Sequence, residues 1–150
     1  MSGSFLFLRY HFVWSTKDRR ALITPEWRDR LYGYMGGILT NRHGRLLAIG
    51  GTADHVHLEV SLPSNVTIAD ALNALKSNSS HWVHENLPGF EHFAWQEGYA
   101  AFTVSKSAEP NLLAYIRHQE EHHHQKDFKS ELVGLLDKHG IEYDERYLWT

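Results

Sequence analysis

The sequence predicts an α+β fold, in which a four-stranded antiparallel sheet forms in the order β-α-β-β-α-β and two further helices follow it. Four short apolar segments have the alternating or continuous apolar pattern of strands. Longer segments between and after them repeat apolar residues every three or four positions, which is the helical period. A glycine-containing turn between the second and third strands indicates a hairpin, so these two strands run antiparallel.

The first strand is predicted over residues 5–14, where apolar side chains fall on both faces, as in the centre of a sheet. A polar, basic connection separates this strand from the first helix. Thr24, Pro25 and Glu26 mark the start of that helix, because they supply a capping residue, a proline at the first helical position and an acid in the first turn. The helix is expected to run to about Asn41.

A strand–turn–strand unit and a second helix follow. The second strand is predicted over residues 45–51 and the third over residues 55–62. The second helix begins after Thr67, since Asp70 lies three residues further on, in the position of a capping-box acid. Pro88 closes this helix, because a proline cannot continue it.

The fourth strand is predicted over residues 100–104, the third helix over 110–127 and the fourth helix over 128–139. Strand–helix–strand, hairpin and helix–strand in this order is the ferredoxin-like pattern, with the helices between strands on one face of the sheet. In this topology the first and third strands are central. The sequence has no internal repeat, low-complexity tract or linker, so we expect residues 1–150 to form one domain.

The composition excludes several classes of protein. The chain has no cysteine, so it has neither disulfides nor thiolate metal sites, and it fits a reducing compartment. No apolar run approaches the roughly 18 residues that a membrane span needs, and we expect no signal peptide. The net charge is −3, but residues 1–50 carry eight Lys and Arg against three Asp and Glu, which can form a phosphate-binding surface.

The third strand carries a pair of histidines, His55 and His57, separated by one apolar residue. Because alternate residues of a strand point to the same face, their imidazoles lie side by side. Neutral imidazole is the commonest metal ligand among side chains, so the pair can supply half of the ligands of a metal ion. The alternative is that both are ordinary strand histidines, hydrogen-bonded or solvated.

The third helix supplies chemistry that can complete this site. Tyr115 and Gln119 are four residues apart, and they therefore lie on one face of the helix, with His122 continuing the stripe. A tyrosine has an ordinary pKa of about 10, so it needs help such as a divalent cation to act as a nucleophile. Two imidazoles and an amide oxygen suit Mn²⁺ or Mg²⁺, and leave Zn²⁺ open. The alternatives are a packing role for Tyr115 and a solvated Gln119, and we expect the rest of the run 122–124 to be surface.

Together these motifs resemble the single-tyrosine HUH transposases of small insertion sequences, including the branch associated with repetitive extragenic palindromes. The resemblance covers nearly the whole chain. It depends on five blocks in the same order, namely Tyr10–Arg20, the pair His55 and His57, the segment 98–105, the helix with Tyr115 and Gln119, and the segment 140–147.

The resemblance implies a ferredoxin-like fold and a DNA strand-transfer reaction. In this family His55 and His57 correspond to metal ligands, Gln119 to the third protein ligand of a divalent metal, Mg²⁺ or Mn²⁺, and Tyr115 to the nucleophile. The implied substrate is single-stranded DNA with a hairpin, and the implied assembly is a homodimer whose subunits can share active sites, working in the bacterial cytoplasm. One departure is His118, where we expect an asparagine.

The sequence also predicts contacts with DNA and leaves two other functions open. Four basic residues are expected to contact phosphates, namely Lys17, Arg19, Arg20 and Lys76. Each of them can equally be a solvated surface charge. Phe93 and Trp95 can stack on bases or belong to the core. The main rival function is a non-catalytic module that binds single-stranded nucleic acid on the same fold. A second rival is a metal-dependent nuclease that uses water.

Overall fold

The computed structural model describes residues 3–120 and 127–150. Its secondary structure follows the predicted order, with a short 3₁₀ turn over Lys17–Arg19 after the first strand. None of the described helices combines the length and the apolar character needed to cross a membrane. The strands are β1 (Arg9–Ser15), β2 (Arg45–Gly51), β3 (His55–Ser61) and β4 (Ala100–Thr103), and the helices are α1 (Pro25–Thr40), α2 (Ile68–Asn86), α3 (Glu109–Arg117) and α4 (Phe128–Lys138).

The four strands form one antiparallel sheet in the order β2-β3-β1-β4. The central strands are β1 and β3, and their register places Ser15 opposite His55 and Val13 opposite His57. This arrangement confirms the predicted α+β, ferredoxin-like fold. It also fixes the histidine pair in the middle of the sheet, where both neighbouring strands restrain the backbone.

The helices α1 and α2 cover one face of the sheet. On this face Phe12 and Trp14 of β1 pack with Val56 and Leu58 of β3, and all four are fully buried. Phe93 and Trp95 also belong to this core, so they are packing residues. The helices contribute the rest of the apolar layer: Trp27, Leu31, Met35, Ile38, Leu39, Ala71, Leu72, Ala74, Leu75 and Val83.

The helices α3 and α4 lie over the opposite face, which carries the histidine pair. Ile116 of α3 is fully buried and lies directly against Gly50 of β2. A second apolar cluster joins α4 to the sheet, formed by Val13, Phe102, Phe128, Leu132 and Leu136. Both faces of the central strands are therefore covered by helices.

The first strand is shorter than predicted. It begins at Arg9, whereas Phe5 and Phe7 before it are 93 and 41 % exposed. The reason is the neighbouring strand, because Arg9 pairs with Ser61, the last residue of β3, and Pro63 follows. Residues 5–7 therefore have no β3 ladder to extend, whatever their own strand preference.

The third helix is also shorter than predicted, since it ends at Arg117. His118 leaves the helical conformation, with φ −107° and ψ 28°, and its Nδ1 is hydrogen-bonded to the carbonyl oxygen of Ala114 at 2.8 Å. The prediction of one continuous helix to residue 127 is wrong at this point. The histidine run 122–124, including His122, lies outside the described residues.

Candidate active site

The histidine pair lies on β3 with no exposed surface. The two rings are 5.2 Å apart between centroids. Nε2 of His55 is hydrogen-bonded to Oε1 of Gln119 at 3.0 Å, and Nε2 of His57 is hydrogen-bonded to Oε1 of Glu131 at 2.8 Å. Both Nε2 atoms therefore face oxygen atoms that come from the C-terminal part of the chain.

Each ring is oriented through its other nitrogen. Nδ1 of His55 is 2.7 Å from Oδ1 of Asp54, and Nδ1 of His57 is 2.8 Å from Nε2 of His11. Burial, and then the neighbouring His57, lowers the pKa of His11 to about 3, so this ring stays neutral near pH 7. Such outer hydrogen bonds fix the direction of metal-ligating histidines.

Tyr115 and Gln119 both reach the histidines, although the helix predicted to carry them together ends at Arg117 between the two. The hydroxyl of Tyr115 donates a hydrogen bond to Oε2 of Glu131, and its ring centroid is 5.5 Å from that of His57. Gln119 is only 1 % exposed, although it lies beyond the end of α3. The pKa of Tyr115 is raised above its usual value, first by burial and then by the carboxylate of Glu131.

Glu131 of α4 is a site residue that the sequence interpretation did not identify. It is 3 % exposed, and its two carboxylate oxygens contact His57 and Tyr115 respectively. The sequence does contain a signal for this residue, because Glu131 is an acid within the apolar face of α4. That face has a helical spacing of three and four residues, with Phe128, Glu131, Leu132, Leu135 and Leu136.

Three buried side chains of the site could hold a metal ion. One ligand atom each from His55, His57 and Glu131 lie within 4.8 Å of one another, and these buried side chains can hold a metal ion. Oε1 of Glu131 is 2.8 Å from Nε2 of His57 and 3.6 Å from Nε2 of His55. Neighbouring ligands with bonds of 2.0–2.1 Å are roughly 2.8–3.0 Å apart in octahedral sites and roughly 3.3–3.4 Å apart in tetrahedral sites. A cation can therefore replace the protons shared between these atoms with little rearrangement.

A cavity of about 480 Å³ leads to the nucleophile candidate. Tyr115 and Glu131 form part of its wall, and His11 lies beside them. The phenol is therefore not locked into the interior of the protein. The other lining residues are Phe102, Thr103, Val104, Ala108, Asn111, Leu112, Gly134, Leu135, Lys138 and His139.

The predicted phosphate contacts are divided between two parts of the molecule. Lys17, Arg19 and Arg20 follow β1 at the end of the sheet that holds His55, where the amide of Thr16 donates to the carbonyl oxygen of Asp54 at 2.8 Å. The guanidinium of Arg19 lies 5.2 Å from the ring centroid of Trp149. The residue before this basic segment is therefore bonded to the residue that precedes His55.

Lys76, by contrast, lies on α2, which packs on the other face of the sheet. Its Nζ donates hydrogen bonds to the carbonyl oxygens of Glu97 and Gly98 at 2.9 and 2.8 Å. This side chain holds a loop of its own chain and is remote from the histidines.

Comparison with known proteins relates the chain to transposases. The family model described as "Transposase IS200 like" matches residues 4–119. The ISDra2 transposase TnpA of Deinococcus radiodurans is 26% identical over 119 residues, covering 76% of this chain and 85% of that protein. The transposase for insertion sequence element IS200 of Salmonella typhimurium is 26% identical over 118 residues, covering 75% and 77% respectively.

Two solved structures share the fold. A crystal structure of a candidate transposase from Deinococcus radiodurans superposes with a TM-score of 0.64 at 26% identity, covering 79% of this chain and 96% of that one. The structure of a REP-associated tyrosine transposase bound to a REP hairpin gives a TM-score of 0.58 at 15% identity, covering 79% and 72%. The second likeness is one of fold alone.

Proposed function

Because the chain belongs to the IS200-like transposase family, we propose that it cleaves and rejoins single-stranded DNA through a covalent bond between Tyr115 and a 5′ phosphate. One observation supports this mechanism above the others. A phenol from α3, two imidazoles from β3 and the amide of Gln119 converge in one buried cluster next to an accessible cavity. This combination brings together a nucleophile and the ligands of a cation.

A divalent cation, Mg²⁺ or Mn²⁺, would be held by His55, His57 and Gln119, with Glu131 facing the same position. When bound, such an ion polarises a phosphoryl oxygen and stabilises the charge that develops on it. The protein holds the histidine ligands on a central strand and orients them through Asp54 and His11. This rigidity suits a site that must align a phosphate.

The reaction is two successive transfers of one phosphoryl group. The oxygen of Tyr115 attacks phosphorus, an O–P bond to the tyrosine forms, and the bond to the 3′ oxygen of the DNA breaks. The phenol loses its proton, and the departing 3′ oxygen gains one. A second 3′ hydroxyl then attacks the phosphotyrosine and restores the phenol. The covalent intermediate preserves the bond energy, so no nucleotide cofactor is required.

The DNA substrate is proposed to carry a hairpin next to the cleaved strand. A protein of the same fold is described as bound to a REP hairpin. We propose that Lys17, Arg19 and Arg20, which follow β1 and the backbone contact between Thr16 and Asp54, contact phosphates of this DNA. Homodimerisation stays a prediction. Since Tyr115 reaches His57 within one chain, sharing of active sites between subunits is not needed to assemble the cluster.

The rival functions make different predictions. A binding module of this topology presents exposed aromatic side chains on its sheet. Here β1 and β3 are covered on both faces, and Phe93 and Trp95 are 1 and 8% exposed. This observation disfavours the binding module. A nuclease that uses water would cut DNA but would leave none attached to the protein.

A covalent-adduct assay tests the proposal. The protein is incubated with labelled single-stranded DNA from the flanks of its own gene and Mn²⁺, and the products are separated on a denaturing gel. We expect a slow-migrating protein–DNA band that EDTA suppresses and that Tyr115→Phe removes, because the phenylalanine has no attacking oxygen. Tyr147→Phe is the matched control, since Tyr147 is 67% exposed and remote in sequence from the cluster.

Two results would contradict the assignment. An adduct that persists in Tyr115→Phe means that another residue is the nucleophile. Cleaved DNA without any adduct in the unmodified protein means that water attacks the phosphate.

A further inference from the structure

We propose that Glu131 has a direct role in this site. Its one carboxylate contacts both the cation and the nucleophile, Tyr115. Oε1 is a ligand of the cation together with His55 and His57, and Oε2 holds the hydroxyl of Tyr115. The proposal rests on the function proposed above, but its metal-binding part can be tested without DNA.

The geometry places the two carboxylate oxygens on two different partners. Oε1 is 2.8 Å from Nε2 of His57 and 3.6 Å from Nε2 of His55, which is the side of the cation site. Oε2 accepts the hydrogen bond from the hydroxyl of Tyr115. A carboxylate can use both oxygens at once, so a single side chain spans the distance between the cation and the phenol.

Burial of the Glu131 carboxylate costs free energy, which argues against a purely structural role for this side chain. Glu131 is 3% exposed and lies on the apolar face of α4, between Phe128 and Leu132. The ring of Phe128 lies 4.6 Å from that of His55, so α4 is packed against the histidine pair. An ionised carboxylate in such surroundings is costly unless a cation or strong hydrogen bonds compensate it, whereas an apolar side chain would fit without that cost.

Charge balance points in the same direction. Two neutral imidazoles and an amide oxygen bring no charge to a divalent cation in a buried site. Glu131 brings one negative charge into direct contact, and Asp54 brings a second one through Nδ1 of His55. Anionic ligands offset the cost of taking a divalent cation out of water.

Glu131 also lies outside the part of the chain that defines its family. The family model matches residues 4–119 and therefore includes His55, His57, Tyr115 and Gln119 but not α4. The carboxylate is thus an element that α4 adds to the site in this chain. In the proposed reaction, Oε2 of Glu131 takes the proton of Tyr115 while the phenolic oxygen of Tyr115 bonds to phosphorus. Solvent protonates the departing 3′ oxygen.

The first experiment measures Mn²⁺ affinity by calorimetry on the full chain without DNA. We expect Glu131→Gln to bind Mn²⁺ at least about tenfold more weakly than the unmodified protein, because groups that ligate or orient ligands are typically worth 10–100-fold in affinity. Asp137→Asn is the matched control, since it removes the same charge from an exposed position on α4. Equal affinities for Glu131→Gln and the control would overturn the ligand role.

The second experiment measures the rate of adduct formation at saturating Mn²⁺. We expect Glu131→Gln to be slower by about 10²-fold or more, because an amide does not accept the proton of the phenol. An unchanged rate would overturn the proposal that Glu131 accepts the proton of Tyr115. If the unmodified protein forms no adduct at all, the strand-transfer function fails, and the calorimetry still decides whether Glu131 is a ligand.

A third measurement does not depend on the folding of the Glu131 variant. Mn²⁺ is added to the unmodified protein and to Tyr115→Phe, and the near-ultraviolet difference spectrum of tyrosine is recorded. We expect Mn²⁺ to change the tyrosine spectrum of the unmodified protein but not that of Tyr115→Phe. The reason is that the cation binds the carboxylate of Glu131, which accepts the hydrogen bond of this phenol. The same spectrum in both proteins would contradict the bridging role.

Discussion

Replacing Gly50 by alanine tests whether the position of α3 sets the activity of the site. Gly50 of β2 lies beneath α3, and a Cβ atom there would be 2.1 Å from the carbonyl oxygen of Ile116. Ile116 adjoins Tyr115 in the helix. Ordinary van der Waals contacts of a Cβ atom begin at 3.4 Å, so helix and strand must separate by about 1.3 Å at this point.

The expected size of the effect follows from this displacement. A misplacement of about 1 Å can cost about 10²-fold in rate, so we expect adduct formation by Gly50→Ala to fall by about that factor. Overpacking of this kind also costs roughly 1–3 kcal/mol of the free energy of unfolding. Because β3 is not displaced directly, His55 and His57 should remain in place.

The assay compares adduct rates and urea unfolding curves for Gly50→Ala and a control, Gly33→Ala. Gly33 lies on α1, where a Cβ atom meets nothing within 4 Å. The control should keep its adduct rate and gain roughly 0.5–1 kcal/mol of stability, since alanine is the better helix former. If Gly50→Ala reacted as fast as the unmodified protein, close contact between β2 and α3 would not control the position of the nucleophile.

The remaining predictions concern folding and DNA binding. Thr67→Ala should lower the free energy of unfolding by about 1 kcal/mol, because the Thr67 side chain accepts a hydrogen bond from the amide of Asp70 at the start of α2; urea unfolding measures the loss, and Mn²⁺ affinity should not change. Lys17→Ala and Arg20→Ala should each weaken DNA binding irrespective of sequence and reduce the salt dependence of log K by about one unit. Lys76→Ala should leave that slope unchanged, because the ammonium group of Lys76 bonds to carbonyls on the other face of the sheet. Binding titrations at several salt concentrations measure the slope. A slope that changed only in Lys76→Ala would contradict the assignment of Lys17 and Arg20 as phosphate contacts.

Local signals predicted the elements whose boundaries depend on short-range chemistry. The second strand was predicted at the residues where β2 is observed, since a glycine pair ends it. The start of α2 follows from Thr67, whose side chain caps the helix as the capping-box spacing indicates. The histidine pair lies on one face of a central strand, because alternation along a strand does not depend on the rest of the fold.

Boundaries set by distant neighbours could not be predicted in this way. The apolar residues 5–7 favour a strand, but β3 offers no partner to them beyond Ser61. The third helix stops at Arg117, where His118 leaves the helical conformation and bonds to the carbonyl oxygen of Ala114, and helical periodicity does not reveal this boundary. At residues 5–7 the missing partner strand overrides the local preference.

The candidate site shows the same division. The spacing of Tyr115 and Gln119 predicted that their side chains lie together, although the helix that was expected to hold both ends at Arg117. The contact of His11 with His57 depends on the register between β1 and β3, which a single sequence does not specify. Glu131 reaches the cluster only because α4 folds back over the sheet. Its one local signal in the sequence is an acid within the apolar helical stripe of α4.

The most direct test of the central claim is to identify the residue that carries DNA. The protein is incubated with single-stranded DNA and Mn²⁺, digested with nuclease and trypsin, and analysed by mass spectrometry. The tryptic peptide 107–117 contains Tyr115 as its only tyrosine. We predict that this peptide carries a nucleotide through its tyrosine oxygen. A nucleotide found instead on another peptide would contradict the assignment of Tyr115 as the nucleophile.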